Sequence, residues 1–118
     1  MRDAYSLCAY MTLRPIEFHI LLSLAGDDRH GYAILQEVER LTGGELRLEP
    51  GTLYRALHRM LRDGWVAESG RRPAARDDDE RRRYYRLTPL GRRVATAEAD
   101  RLSRLVTVAR AHRLLTHA

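Results

Sequence analysis

Residues 49–65 read EPGTLYRALHRMLRDGW. Leu53, Leu57, Met60 and Leu61 recur there at helical spacing, so one face of a short helix needs a core. Tyr54, Arg55, His58, Arg59 and Arg62 fill the gaps and give the other face a cationic, aromatic character. Such a face is either a solvated surface or a binding surface, and its neighbours decide between the two.

Charge around this stretch is uneven. All 21 basic residues are arginine and the net charge is +5. Residues 1–44 carry 4 Arg against 6 acids, residues 45–93 carry 13 against 8, and residues 94–118 carry 4 against 2. Positive charge is therefore concentrated in the middle of the chain. Arginine suits phosphate oxygens, because its planar fork donates two hydrogen bonds at once. A polyanionic partner is the expectation, with charge alone setting only a prior.

The 118 residues amount to one domain. No apolar run reaches the ~18 residues of a membrane span, and MRDAYSLCAYMTLRP lacks the apolar core of a signal peptide. The expected location is the cytoplasm. Either Met1 or Met11 can serve as the start, so residues 1–12 are read as a loose N-terminal extension. The single cysteine, Cys8, cannot form an intrachain disulfide or a thiolate metal site alone.

Helices are expected on both sides of the opening stretch. The first runs from about Pro15 to Leu24, with Ile16, Ile20, Leu21 and Leu24 facing inward. GDDRHG (26–31) is read as a turn. A second helix spans about Tyr32–Leu41, with Ile34, Leu35, Val38 and Leu41 inward, and Thr42-Gly43-Gly44 ends it. The third starts near Pro50 or Gly51 and stops at Asp63-Gly64. Trp65–Glu68 and Arg83–Leu87 read as strands, joined by the polar segment GRRPAARDDDERR (70–82). Thr88-Pro89 then opens a long helix, expected to reach about Leu115. Ala95, Ala99, Leu102, Val106 and Ala109 step by four, three, four, three along it, like a coiled-coil seam. At ~27 residues this helix would be ~40 Å long, more than one small domain covers, which favours self-association over packing within one chain.

Three helices and a hairpin in this order make a winged helix-turn-helix, followed by a long C-terminal helix: a mainly α fold with a small β-hairpin. Residues 13–88 form the winged-helix part and residues 89–118 the dimerisation helix. In that frame the third helix fits a major groove ~12 Å wide. Thr52, Tyr54 and Arg55 lie in its first turn, where base edges are reached. His58, Arg59 and Arg62 follow along the same face, the last two near phosphate. Arg71, Arg72, Arg82 and Arg83 of the wing complete the expected DNA contacts.

HGYAILQEVE (30–39), EPGTLYRALHRMLRDGWV (49–66) and RRYYRLTPLGR (82–92) together resemble the PadR family of bacterial transcription regulators. The resemblance covers roughly residues 13–95. It implies a homodimer that binds a pseudo-palindromic operator, usually as a repressor, with a short C-terminal part of one helix. It also implies that Thr52, Tyr54 and Arg55 are counterparts of DNA-facing positions, and that a small, often aromatic effector shifts the spacing of the two recognition helices. Trp65 is the candidate wall of an effector pocket, bounded by the first and last helices. Core packing is the first reading of Trp65, and the same holds for Tyr32. Tyr54 is open between stacking, a phosphate contact and bracing its own helix.

Asp77, Asp78, Asp79 and Glu80 depart from this scheme, because four acids at a wing tip would be repelled by phosphate. Enzyme function is not expected: there is no Gly-rich phosphate loop, HExxH pair, CxxC pair or nucleophile elbow. The five histidines have no metal-ligand spacing on one element, and no cofactor is expected. The alternative is a winged helix that dimerises or docks on a protein without reading DNA.

Overall fold

The computed structural model describes residues 13–70 and 83–115. The element order is α1 (Pro15–Gly26), β1 (Arg29–His30), α2 (Gly31–Leu41), α3 (Pro50–Arg62), β2 (Val66–Glu68), β3 (Tyr84–Leu87) and α4 (Pro89–Ala111). This is the expected winged helix-turn-helix with a long final helix. Cys8, the N-terminal extension, the acidic tip and Arg71, Arg72 and Arg82 lie outside the described residues.

One core holds the elements together. Ile20, Leu21 and Leu24 of α1 meet Ile34 and Val38 of α2 and Leu53, Ala56, Leu57 and Met60 of α3. Trp65, Val66 and Tyr85 close it on the sheet side, and Val94 and Ala95 of α4 join it. The inward stripe of α3 is thus the one its spacing predicts, with Ala56 added and Leu61 only half-buried.

The segment read as a turn contains a strand. Arg29 and His30 pair antiparallel with Tyr85 and Tyr84, so the sheet has three strands in the order β1-β3-β2. On the other edge Val66, Ala67 and Glu68 face Leu87, Arg86 and Tyr85. α1 runs on to Gly26, leaving a short link before β1. His30 is then placed to cap α2: its Nδ1 accepts from the Ala33 N–H at 3.1 Å, while its ring meets Tyr84 edge-on at 5.3 Å. Arg29 ties the same link to α1, donating from Nε to the Ser23 carbonyl at 2.7 Å. It also faces Glu37 of α2, whose carboxyl the Arg40 hydrogen bond chiefly holds below the usual range, with the charge of Arg29 adding to it.

Three side chains sit elsewhere than expected. Leu41 is exposed at the end of α2, and Ile16 is only half-buried at the start of α1. Tyr32, read as packed, is 62% exposed. It is the second residue of α2, on the outer side of a turn where Gly31 faces in.

The junction between α3, the wing and α4 is built around Thr88. Its hydroxyl accepts from the Gly91 N–H at 2.9 Å, the N-cap bond expected of it. The same hydroxyl donates to the Gly64 carbonyl at 2.6 Å, with the Trp65 carbonyl at 3.0 Å. A Cβ on Gly91 would run into the Trp65 carbonyl, so only glycine permits this approach. The first turns of α4 are therefore fixed to the wing. The helix ends at Ala111, one turn short of the expected Leu115, and Arg113 turns the chain with φ 62°.

Candidate nucleic-acid interface

α3 places its functional side chains by simple geometry. At 100° per residue, Arg55, His58 and Arg62 share an arc of about 60° directly opposite the buried Leu53, Leu57 and Met60 stripe. All three are exposed. Arg55 reaches back to the Thr52 hydroxyl at 3.3 Å, a weak contact at the start of the helix. Arg62 is 71% exposed and 3.6 Å from Asp63. Arg83, beside the wing, pairs with Glu68 at 3.1 Å and is also exposed. Arg86 of β3 is exposed as well, a cation that its place in a strand does not mark for function.

Two residues of the predicted face have other work. Tyr54 is half-buried and packs with the core. A Cβ on Gly31 would overlap the Tyr54 hydroxyl and the end of its ring, so Gly31 is the socket that receives this tyrosine. Of the three roles open to Tyr54, bracing α3 against α2 is the one its position supports.

Arg59 is the second. It was expected near phosphate, but its guanidinium is folded back on α1. Nε and Nη2 both lie 2.8 Å from Glu17 Oε2. The Glu17 side chain is 3% exposed and that of Arg59 30%. The other carboxylate oxygen, Glu17 Oε1, accepts from the Arg14 N–H at 2.9 Å. A buried carboxylate needs such partners, since an unpaired buried charge is strongly destabilising. The pair spans 42 positions of sequence, so helical periodicity carries no trace of it.

Trp65 is buried in the core, as first read, and also borders a cleft of about 400 Å³. The cleft is lined by Leu13, Arg14, Glu17, Arg59, Arg62, Asp63 and Trp65. Its walls belong to α1, the residues just before it, and the end of α3. No α4 residue lines it, unlike the pocket expected from the sequence. Among the described residues no group of three or more His, Cys, Asp or Glu is placed to hold a metal ion. Among them, too, no helix is long and apolar enough to cross a membrane.

The predicted seam of α4 divides in two. Ala95 is buried in the core of its own chain, and Leu102 and Ala109 are half-buried, while Ala99 and Val106 are exposed. Leu105 and Val108, which were not in the predicted seam, are 52% and 53% exposed.

Fold and site together describe a winged helix that presents a cationic recognition helix. The comparisons narrow this class. Residues 20–97 match the model of the "Transcriptional regulator PadR-like family". Transcriptional regulator Rv3488 of Mycobacterium tuberculosis is 37% identical over 90 residues, covering 76% of this chain and 78% of that protein. A PadR family transcription regulator from Clostridium difficile R20291 superposes with a TM-score of 0.66 at 25% identity, covering 82% of this chain and 96% of that one. Bacillus subtilis PadR, solved in complex with operator DNA, matches with a TM-score of 0.59 at 18% identity, covering 70% of this chain and 45% of that one. The chain belongs to the PadR-like family of transcriptional regulators, which are not enzymes.

Proposed function

We propose that the protein is a homodimeric, sequence-specific DNA-binding regulator that represses transcription and is released by a small effector. The observation that carries this reading is the α3 face of Arg55, His58 and Arg62. It is cationic, exposed, and held rigid by a buried opposite face. Gly51 and Thr52 open the helix beside it, so base contacts fall to Thr52 and Arg55 and phosphate contacts to His58, Arg62, Arg83 and the wing arginines Arg71, Arg72 and Arg82. That the family relative from Bacillus subtilis was solved with operator DNA supports the same use of the fold.

A dimer gives the reading its geometry. Leu102, Leu105, Val106 and Ala109 follow i, i+3, i+4, i+7 and form one stripe on α4. The stripe continues the line of Ala95 beyond the point where the chain's own core ends. A second copy packed there would set two α3 helices toward successive major grooves ~34 Å apart, and so favour a pseudo-palindromic operator. The cleft beside Trp65 is the proposed effector site, because a ligand there touches both α1 and the end of α3.

Replacing Arg55, His58 and Arg62 together by Ala tests the central contact. DNA binding should be lost while the dimer, measured by sedimentation, stays intact. A variant that still binds duplex DNA as the parent does would leave the protein-docking alternative in its place.

A further inference from the structure

Arg59 lies about 40° around α3 from Arg55, on the flank of the DNA-facing arc that turns toward α1. Its side chain is long enough to swing onto that arc. Glu17 prevents this. It holds two guanidinium nitrogens on one oxygen at 2.8 Å, and is itself fixed through its other oxygen to the Arg14 N–H. Glu17 is carried on the first turn of α1, whose next residues, Ile20 and Leu21, are buried in the core. The carboxylate is thus bonded through both oxygens and carried on a helix anchored in the core, and it holds the cation against α1.

We infer that Glu17 is a specificity-determining residue: it withholds Arg59 from DNA phosphate and pins the far end of the recognition helix to α1. The inference rests on the proposed DNA-binding role. Each phosphate a protein neutralises adds affinity for every sequence alike, and steepens the log–log dependence of affinity on salt by ~0.9. A recognition helix that keeps one of its arginines off the backbone binds non-specific DNA less tightly, which widens the margin for base contacts made by its neighbours. Among the described residues Arg62 and Arg55 have no comparable buried acid: Arg62 stands 3.6 Å from the exposed Asp63, and Arg55 touches a threonine hydroxyl. The cleft that opens at Arg59, Arg62 and Trp65 leaves a path through which a freed Arg59 side chain reaches solvent.

The test is a salt series of fluorescence anisotropy with a labelled duplex of arbitrary sequence, using the full chain. Glu17→Gln keeps an acceptor for the Arg14 N–H and removes the charge that holds Arg59. It should bind this duplex several-fold more tightly than the parent, with a salt slope steeper by ~0.9 for each protomer. Arg59→Gln should leave the slope at the parental value, and so should the double variant Glu17→Gln/Arg59→Gln. Arg62→Ala, by contrast, should flatten it by ~0.9 per protomer. Circular dichroism of each variant establishes that it is folded. If Glu17→Gln does not fold, Glu17→Asp, which keeps the charge but draws it back, is measured in its place and should steepen the slope partially. An Arg59→Gln slope that falls like that of Arg62→Ala would show Arg59 on phosphate already and overturn the inference. So would a folded Glu17 variant with the parental slope. A parent that binds no duplex even at low salt would instead remove the DNA-binding reading itself, and the inference with it.

Discussion

Gly31 and Tyr54 show how a family motif divides between fold and function. Both fall in stretches that carry the resemblance, HGY and GTLY, and motif position alone would send Tyr54 to DNA. The structure puts its ring where a Cβ on residue 31 would be. Gly31→Ala should therefore destabilise the protein by about 1–3 kcal/mol, the usual cost of overpacking, read as a lowered urea midpoint. Tyr54→Leu, which withdraws the hydroxyl and ring end, should recover part of that loss in the double variant. Independent, additive losses would mean the two residues do not meet. Glu17 is not legible from its neighbours in sequence. A carboxylate at a helix start is ordinary, because it favours the positive end of the helix dipole. Nothing local announces that this one is buried with an arginine 42 positions away.

At the scale of elements, legibility followed length and pattern. α3 was readable because four apolar positions, Leu53 to Leu61, repeat with the helical period inside a helix of 13 residues. Its end was readable too, since Gly64 takes φ +80°. β1 was not. Two residues offer no alternation, and its existence depends on β3 being beside it. α4 was readable as a helix but not in its division of labour. The same stripe begins in the chain's own core at Ala95 and continues into solvent at Val106, and sequence period does not reveal where one partner gives way to another. The Thr88 hydroxyl caps α4 and holds the Gly64 carbonyl at the end of α3. Thr88→Ala should cost about 1–2 kcal/mol in chemical unfolding, at the upper end for an N-cap, and Thr88→Ser should restore most of it. A loss of only a few tenths for Thr88→Ala would mean that the cross-link to Gly64 contributes little.

The whole molecule is 55 Å in its longest dimension and 21 Å in its shortest. Only part of α4 is covered by its own domain, and the exposed Leu105 and Val106 are where the proposed second copy would pack. Leu105→Glu with Val106→Glu should convert the proposed dimer to a monomer of 13.6 kDa in sedimentation, because two charges would enter an apolar seam. The helical circular dichroism of the winged-helix part should survive. An unchanged mass would place the interface elsewhere. The fold class was legible from the order of three helices, a hairpin and a helix. The orientation of individual cations was not, since Arg55, Arg59 and Arg62 look alike in sequence and differ only through what stands opposite each.

DNA reading by this α3 face can be measured outright. Fluorescence anisotropy with a labelled duplex from directly upstream of the protein's own gene, beside a scrambled duplex of equal length and composition, tests it most directly over a salt series. Tight, salt-sensitive binding that prefers the upstream duplex by ~10³ or more is the expected result. Binding to neither duplex, even at low salt, would contradict it.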